Sequence, residues 1–211
     1  MTASRPPAMF LAEARGLDFL NSLAIPVDTE VDWLSSGEDL LAWLEAAGLL
    51  EQSALDEVRA TAKPKALDAV AAQARDLREW FRGFVQRHRG KPLARSAVAE
   101  LEMLNNLLAR DETFTQVVAR AKADMGDGDS ALTLVARRDW RWPDDLLLPI
   151  ARAMAELVTT ADFADVKKCE NPSCVLHFLD TTRGRRRRWC SMAVCGNRAK
   201  QAAHRDRVAA R

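Results

Sequence analysis

All four cysteines of this 211-residue chain lie in two short segments near its C-terminus, Cys169-Glu-Asn-Pro-Ser-Cys174 and Cys190-Ser-Met-Ala-Val-Cys195. Four residues separate the members of each pair and fifteen separate the pairs. No other feature restricts the fold as tightly. Two close pairs at this distance form the pattern of one tetrahedral metal site, and four soft thiolates favour zinc. The competing readings are two disulfides or four unrelated buried thiols. No secretory signal is recognisable at the start, where the apolar run Ala8 to Ala12 is too short for an h-region. In a reducing cytoplasm, paired cysteines read as metal ligands. The expectation is one structural zinc per chain, held by Cys169, Cys174, Cys190 and Cys195. Four thiolates close the coordination sphere, with no position open to water or substrate. His177 lies between the pairs and is an alternative ligand, but a strand position suits it better.

Charge divides the chain at nearly the same place. The net charge of +1 hides 12 Lys/Arg against 3 Asp/Glu in residues 167–211, and 19 against 27 in the rest. An acidic body bearing a basic terminal module fits a nucleic-acid arm. The bland alternative is a solvated basic tail that docks on the body. No apolar run approaches 18 residues, so no membrane span is expected.

The body reads as helices with a few short strands. Phe10 to Ala24 suits a short helix or a strand. Ser36 is a candidate cap for a helix with Leu40, Leu41, Trp43 and Leu44 inward and Gly48 at its end. Ser53 starts a second helix that stops near Pro64. The longest helix spans Lys65 to Arg89, with a stripe of Leu67, Val70, Ala74, Leu77, Phe81 and Phe84 ending at His88. Another runs from Ser96 to Arg110, where Asn105 and Asn106 read as surface amides. Ala131 to Arg138 is the best strand. Trp140 and Trp142 after it read as core. The last body helix begins regularly near Leu147, with Pro149 in its first turn. The acidic Gly126-Asp-Gly-Asp129 turn lacks the downstream glutamate of a calcium loop.

In the C-terminal module, Cys169 to Cys174 makes a knuckle. Val175 to Leu179 and Arg186 to Trp189 are then expected to pair as a hairpin, with Ser191 capping a helix from Met192. Knuckle, hairpin and helix in that order are treble-clef-like. Gly196 inside the helix costs about 1 kcal/mol against alanine, which suggests a close approach to the hairpin or to a phosphate. Lys200, His204, Arg207 and Arg211 share one helix face. Arg183, Arg185, Arg186, Arg187 and Arg188 crowd the hairpin tip. Arg198 suits either a bridge to the hairpin or a contact to nucleic acid.

The stretch Cys195-Gly196-Asn197-Arg198, with Phe178-Leu-Asp-Thr-Thr-Arg183 and Arg186-Arg-Arg-Trp-Cys190 before it, resembles the CGNR zinc finger. Leu17-Asp-Phe-Leu-Asn21 and Asp39-Leu-Leu-Ala-Trp-Leu-Glu-Ala-Ala-Gly48 resemble the opening of the ABATE domain, which commonly precedes that finger. The resemblance implies a stress-induced transcription regulator. The expected architecture is a mainly α helical domain over 1–164 and a four-cysteine finger over 165–211.

The function expected from these features is zinc-dependent DNA binding by a cytoplasmic regulator. Arg183, Arg185, Arg186, Arg187, Arg188, Arg198, Lys200, His204 and Arg207 are the candidate contacts. A small-molecule or protein signal to the helical domain and a homodimer belong to the same reading. The alternative is a protein-interaction or RNA-binding adaptor. An enzyme is not expected, because no adjacent nucleophile and base, phosphate-binding glycine loop or histidine cluster is present. A polar pocket near Asn21 and Trp140 would speak for a sensor or an enzyme. Removing one thiolate by Cys174→Ala is expected to unfold the finger and leave the body folded.

Overall fold

The computed structural model describes residues 5–26, 29–121, 126 and 130–209. Of the acidic turn, only Gly126 lies among them. The side chain of His204 and all of Arg211 lie outside the described part.

The long amphipathic helix α4 (Pro64–His88) is the spine, and the residues of its apolar stripe are buried. At about 1.5 Å per residue it runs about 38 Å. Its Pro64 sits in the first turn, where the missing N–H costs nothing. Helix α2 (Gly37–Ala46) packs across it. The Ser36 hydroxyl accepts the Asp39 amide, as a capping residue should. Helix α3 (Gln52–Thr61) follows, starting after Glu51 and with no side-chain cap from Ser53. His88, at the end of α4, meets Glu100 at 2.8 Å and lies 4.5 Å from the Phe84 ring.

Helix α1 (Arg15–Leu20) is short and almost wholly buried. Its strand continuation β1 (Leu23–Ala24) pairs antiparallel with β2 (Val31–Asp32). Arginines of α4 pin this segment down. Buried Arg78 makes two 2.8 Å bonds to the Asp32 carboxylate, Arg75 donates to the Leu34 carbonyl and Arg82 to the Leu20 carbonyl. Hydrophobicity patterns miss such residues because a long cation on a buried face looks like a solvated one. From residue 5 the leader is also held, by the Arg5–Asp39 pair and by Trp33 donating to the Pro6 carbonyl.

The stretch expected to be one helix from Ser96 is a 3-10 turn over Arg95–Leu101 followed by α5 (Glu102–Leu108), with Asn105 and Asn106 exposed. Strands β3 (Thr113–Ala119) and β4 (Leu132–Arg138) then form an antiparallel hairpin. Asp111 ties its base to the next helix, accepting from Arg138 at 2.6 Å and from Arg152 at 2.6 Å. Burial opposes the charge on Asp111, but these partners and Thr113 outweigh it and hold the carboxyl down at about 2. The hairpin is otherwise exposed. Val117 (62%), Leu132 (56%) and Leu134 (64%) share one face, which ends at Arg138 at the base of the hairpin. Trp142 is 67% exposed, so the expectation of a core residue fails there. A 3-10 turn (Pro143–Leu146) leads into α6 (Leu147–Thr160), which packs on α1. A Cβ on Gly16 of α1 would lie 2.7 Å from the Ala153 carbonyl of α6, so only glycine allows that approach.

The C-terminal module is β5 (Val166–Lys168), β6 (His177–Leu179) and α7 (Asn197–Ala209). Strand β6 pairs with β5 and not with Arg186–Trp189, so the first cysteine pair sits at the tip of the hairpin. The Arg-rich stretch is a loop, touching the knuckle through the Glu170 amide and the Arg188 carbonyl. The whole chain is mainly helical with short antiparallel strands. Among the described residues, no helix is long and apolar enough to cross a membrane.

Candidate metal centre

The knuckle is closed by backbone bonds: the Cys169 amide donates to the Leu176 carbonyl and the Cys174 amide to the Asn171 carbonyl. The second pair is delivered differently. Cys190 ends the Arg-rich loop, and Cys195 lies in a single π turn (Met192–Gly196) that leads into α7. That turn is one residue wider than an α-helical one, with the Gly196 amide donating to the Ser191 carbonyl. A Cβ on Gly196 would approach the Met192 Sδ to 2.8 Å and the Trp189 ring to 3.4 Å. The close neighbours of Gly196 are therefore side chains of its own turn and of the loop, in place of the expected hairpin or phosphate.

All four sulfurs are buried and lie within 4.8 Å of one another. Cys174 and Cys190 are 3.8 Å apart, and Cys190 and Cys195 are 3.6 Å apart. Tetrahedral zinc with bonds of about 2.3 Å requires sulfurs about 3.8 Å apart. The donor set and its spacing fit zinc. Two N–H groups point at the sulfurs from outside: the Asn171 side chain at Cys195 and the Cys190 amide at Cys169, each at 3.4 Å. Such donors stabilise thiolate charge. Cys169, Cys174 and Cys190 hydrogen-bond to one another. Hydrogen bonds from Cys174 and Cys190 pull Cys169 down, and the same bonds push Cys174 and Cys190 up. A divalent cation removes this competition by stabilising every thiolate together.

Two family models match the chain. Residues 13–161 match ABATE, described as "Putative stress-induced transcription regulator", and residues 166–208 match the CGNR zinc finger. The chain belongs to the ABATE family. Among curated proteins, none matches it. The buried cluster of Cys169, Cys174, Cys190 and Cys195 and the CGNR match together support one structural zinc.

The finger is docked closely on the ABATE domain. Asn21 acts as a piece of strand: its amide donates to the His177 carbonyl at 2.8 Å and accepts the His177 N–H at 2.9 Å. The Leu179 amide donates to the Ala12 carbonyl, and Arg198 donates to the Pro26 carbonyl at 2.9 Å. Asn21 therefore joins the finger to the body, while Trp140 lines a cleft with α3 and α6. Arg198 anchors α7 to the body.

The arginines of the loop divide by local role. Arg187 lies 4.3 Å over the Phe178 ring and donates to the carbonyls of Leu11 and Cys190. Arg188 pairs with Glu170 at 2.6 Å, and Arg185 with Asp165 at 3.2 Å. Arg183, Arg186 and Lys200 are exposed, and none has an ion-pair partner among the described residues. Asp180, fully buried, organises the loop. It accepts from Lys167, from the Thr182 hydroxyl and amide, and from the Arg187 amide. Burial works against its charge, but these donors hold its carboxyl well below the usual range. No periodicity marks Asp180 in the sequence. Its only signal is an acid alone among arginines.

Among the described residues, His177 is not part of the four-sulfur cluster. It is 1% exposed, and neither ring nitrogen has a hydrogen-bond partner among the described residues. Burial, with Arg82, Arg89 and Lys168 nearby, pushes its pKa down from 6.5 to about 4. The fold thus requires a neutral ring, and the unfolded chain gains protons first as pH falls below about 6.5. This contribution is intact at pH 7 and shrinks by about 1 kcal/mol by about pH 5.5. Urea titrations of wild type and His177→Leu at both pH values, with zinc content followed, are expected to show that the variant lacks this component. Equal pH dependence in the two proteins would exclude it.

Proposed function

We propose that this ABATE-family protein is a zinc-dependent, DNA-binding transcription regulator, stress-responsive and cytoplasmic, and not an enzyme. One observation carries the reading. A zinc-stapled loop presents Arg183 and Arg186 without local counterions, beside a helix carrying Lys200 and Arg207. Lys and Arg that neutralise phosphates release condensed counterions, which makes such binding steeply dependent on salt. Arg185, Arg188 and His204 lie in the same loop and helix and extend this candidate surface. Arg187 and Arg198 support it from behind through their bonds to backbone carbonyls. The family description supports the regulatory part of the reading.

A homodimer belongs to the proposal, since two fingers in one assembly read two half-sites. The exposed apolar residues Val117, Leu132 and Leu134 on one face of the β3–β4 hairpin support it. A signal to the ABATE domain completes the reading.

The test is selection of the zinc-loaded protein against random duplex DNA, with a parallel RNA pool, across a salt series. An enriched DNA motif with a log–log salt slope of about −4 to −5 is the expected result. Enrichment of RNA alone would replace the DNA reading with an adaptor, and binding to neither pool at low salt would end it. The double variant Arg183→Ala/Arg186→Ala is expected to flatten the slope by about 2 while retaining zinc and thermal stability. An unchanged slope would remove the loop tip from the interface.

A further inference from the structure

The cleft between α3, the β3–β4 hairpin and α6 encloses about 530 Å³, within the range of small-molecule sites. Leu50, Ala54, Val135 and Pro149 make it partly apolar, and Trp140 adds an aromatic surface. Its charges are separated by sign. Glu51 and Glu57 come from the α3 side, and Arg137 and Arg152 from the hairpin and α6. Glu51, Glu57 and Arg137 have no ion-pair partner among the described residues. The guanidinium of Arg152 is held in place by Asp111 at 2.6 Å and by Thr113 at 3.0 Å. Arg138 is fixed by Asp111 and lies 5.1 Å from the Trp140 ring centre. Glu51 and Glu57 thus stand across the cleft from Arg137 without an ion-pair partner among the described residues, while Arg152 and Arg138 are already paired with Asp111. A ligand bearing a single charge would satisfy one side and leave the other, whereas a ligand bearing both signs satisfies both.

We propose that this cleft binds a small zwitterion of the α-amino-acid class with an apolar or aromatic side chain. Its carboxylate lies on Arg137 and Arg152, its ammonium on Glu51 and Glu57, and its side chain against Trp140 and Pro149. The proposal rests on the sensor reading of the ABATE domain and names the chemistry of the signal. The occupied cleft also touches α6 one turn before Ala153, where α6 meets α1, and α1 leads to Asn21 and the finger.

The experiment is calorimetric titration of the full, zinc-loaded chain with free L-leucine, L-phenylalanine and L-tryptophan, and with their N-acetyl and C-terminal amide derivatives. At least one free amino acid is expected to bind saturably. Acetylation, amidation, Arg137→Gln and Glu57→Gln are each expected to weaken that binding by at least about tenfold. Both substituted residues are exposed, so the unliganded melting temperature should not change. No saturable binding up to about 10 mM, or binding indifferent to the derivatives and variants, would overturn the proposal. The titration reads the cleft alone, so its failure leaves DNA binding standing. Equally, a finger that binds no DNA leaves this titration to be judged by itself.

Discussion

Replacing Cys174 by alanine is expected to reduce zinc to well below one equivalent, unfold the CGNR finger and lower the melting temperature of the whole chain. Structural zinc contributes about 10–16 kcal/mol of apparent folding free energy in finger peptides. That is as large as the net stability of an ordinary domain, about 5–15 kcal/mol. Sequence spacing suggests a finger that fails by itself. The structure extends the damage, because Val166, Leu176 and Phe178 of the finger are buried in one core with Leu17 and Leu20 of α1. Asn21 also loses its strand-like partner at His177. Most helical signal should survive, since α2, α4 and α6 carry much of the body's own core. Zinc analysis, far-ultraviolet circular dichroism and a thermal melt test this together. A variant with full zinc and a wild-type melt would rule out the four-thiolate site.

Asp180→Ala should be the next most damaging change, costing about 3–5 kcal/mol, the usual price of stranding the partners of a buried charge. Lys167, Thr182 and the Arg187 amide all lose the same acceptor. With its carboxyl held low, Asp180 contributes fully above the unfolded carboxylate range, and the contribution is lost only as pH falls through the lower folded value. The deficit should therefore be fully visible at neutral pH. Local loosening of the loop should accelerate trypsin cleavage among Arg183, Arg185 and Arg186. Asp180→Asn keeps an acceptor for the two amides but not the charge facing Lys167, and should fall between. Wild-type denaturation and an unchanged tryptic pattern in Asp180→Ala would show that the loop organises itself without this carboxylate.

The metal centre was legible in the sequence because ligand chemistry is local: thiolates at these spacings have few uses other than one zinc. The long helix was legible because burial along one face imposes a 3.6-residue period, visible from Leu67 to Phe84. The pairing of β6 was not. Val166–Lys168 carries no strand signal stronger than Arg186–Trp189, and the choice between them depends on which backbone reaches His177–Leu179 once α1 has packed there. Trp142 was misread for a related reason. An aromatic ring after a strand is usually buried by neighbouring elements, and here Trp142, at the start of the 3-10 turn, stays 67% exposed.

The sequence by itself determined the four-cysteine cluster, the helical character of the body and the concentration of positive charge at the C-terminus. Each follows from residue type and short-range spacing. Only the tertiary structure decided that Arg187 and Arg198 bond to backbone carbonyls while Arg183 and Arg186 stay exposed. It alone showed that Asn21 joins the two family-matched regions, and that Glu51 and Glu57 lie across a cleft from Arg137 and Arg152. These roles depend on partners as many as 176 residues away, and a side chain's chemistry does not specify which distant groups the fold will bring to it.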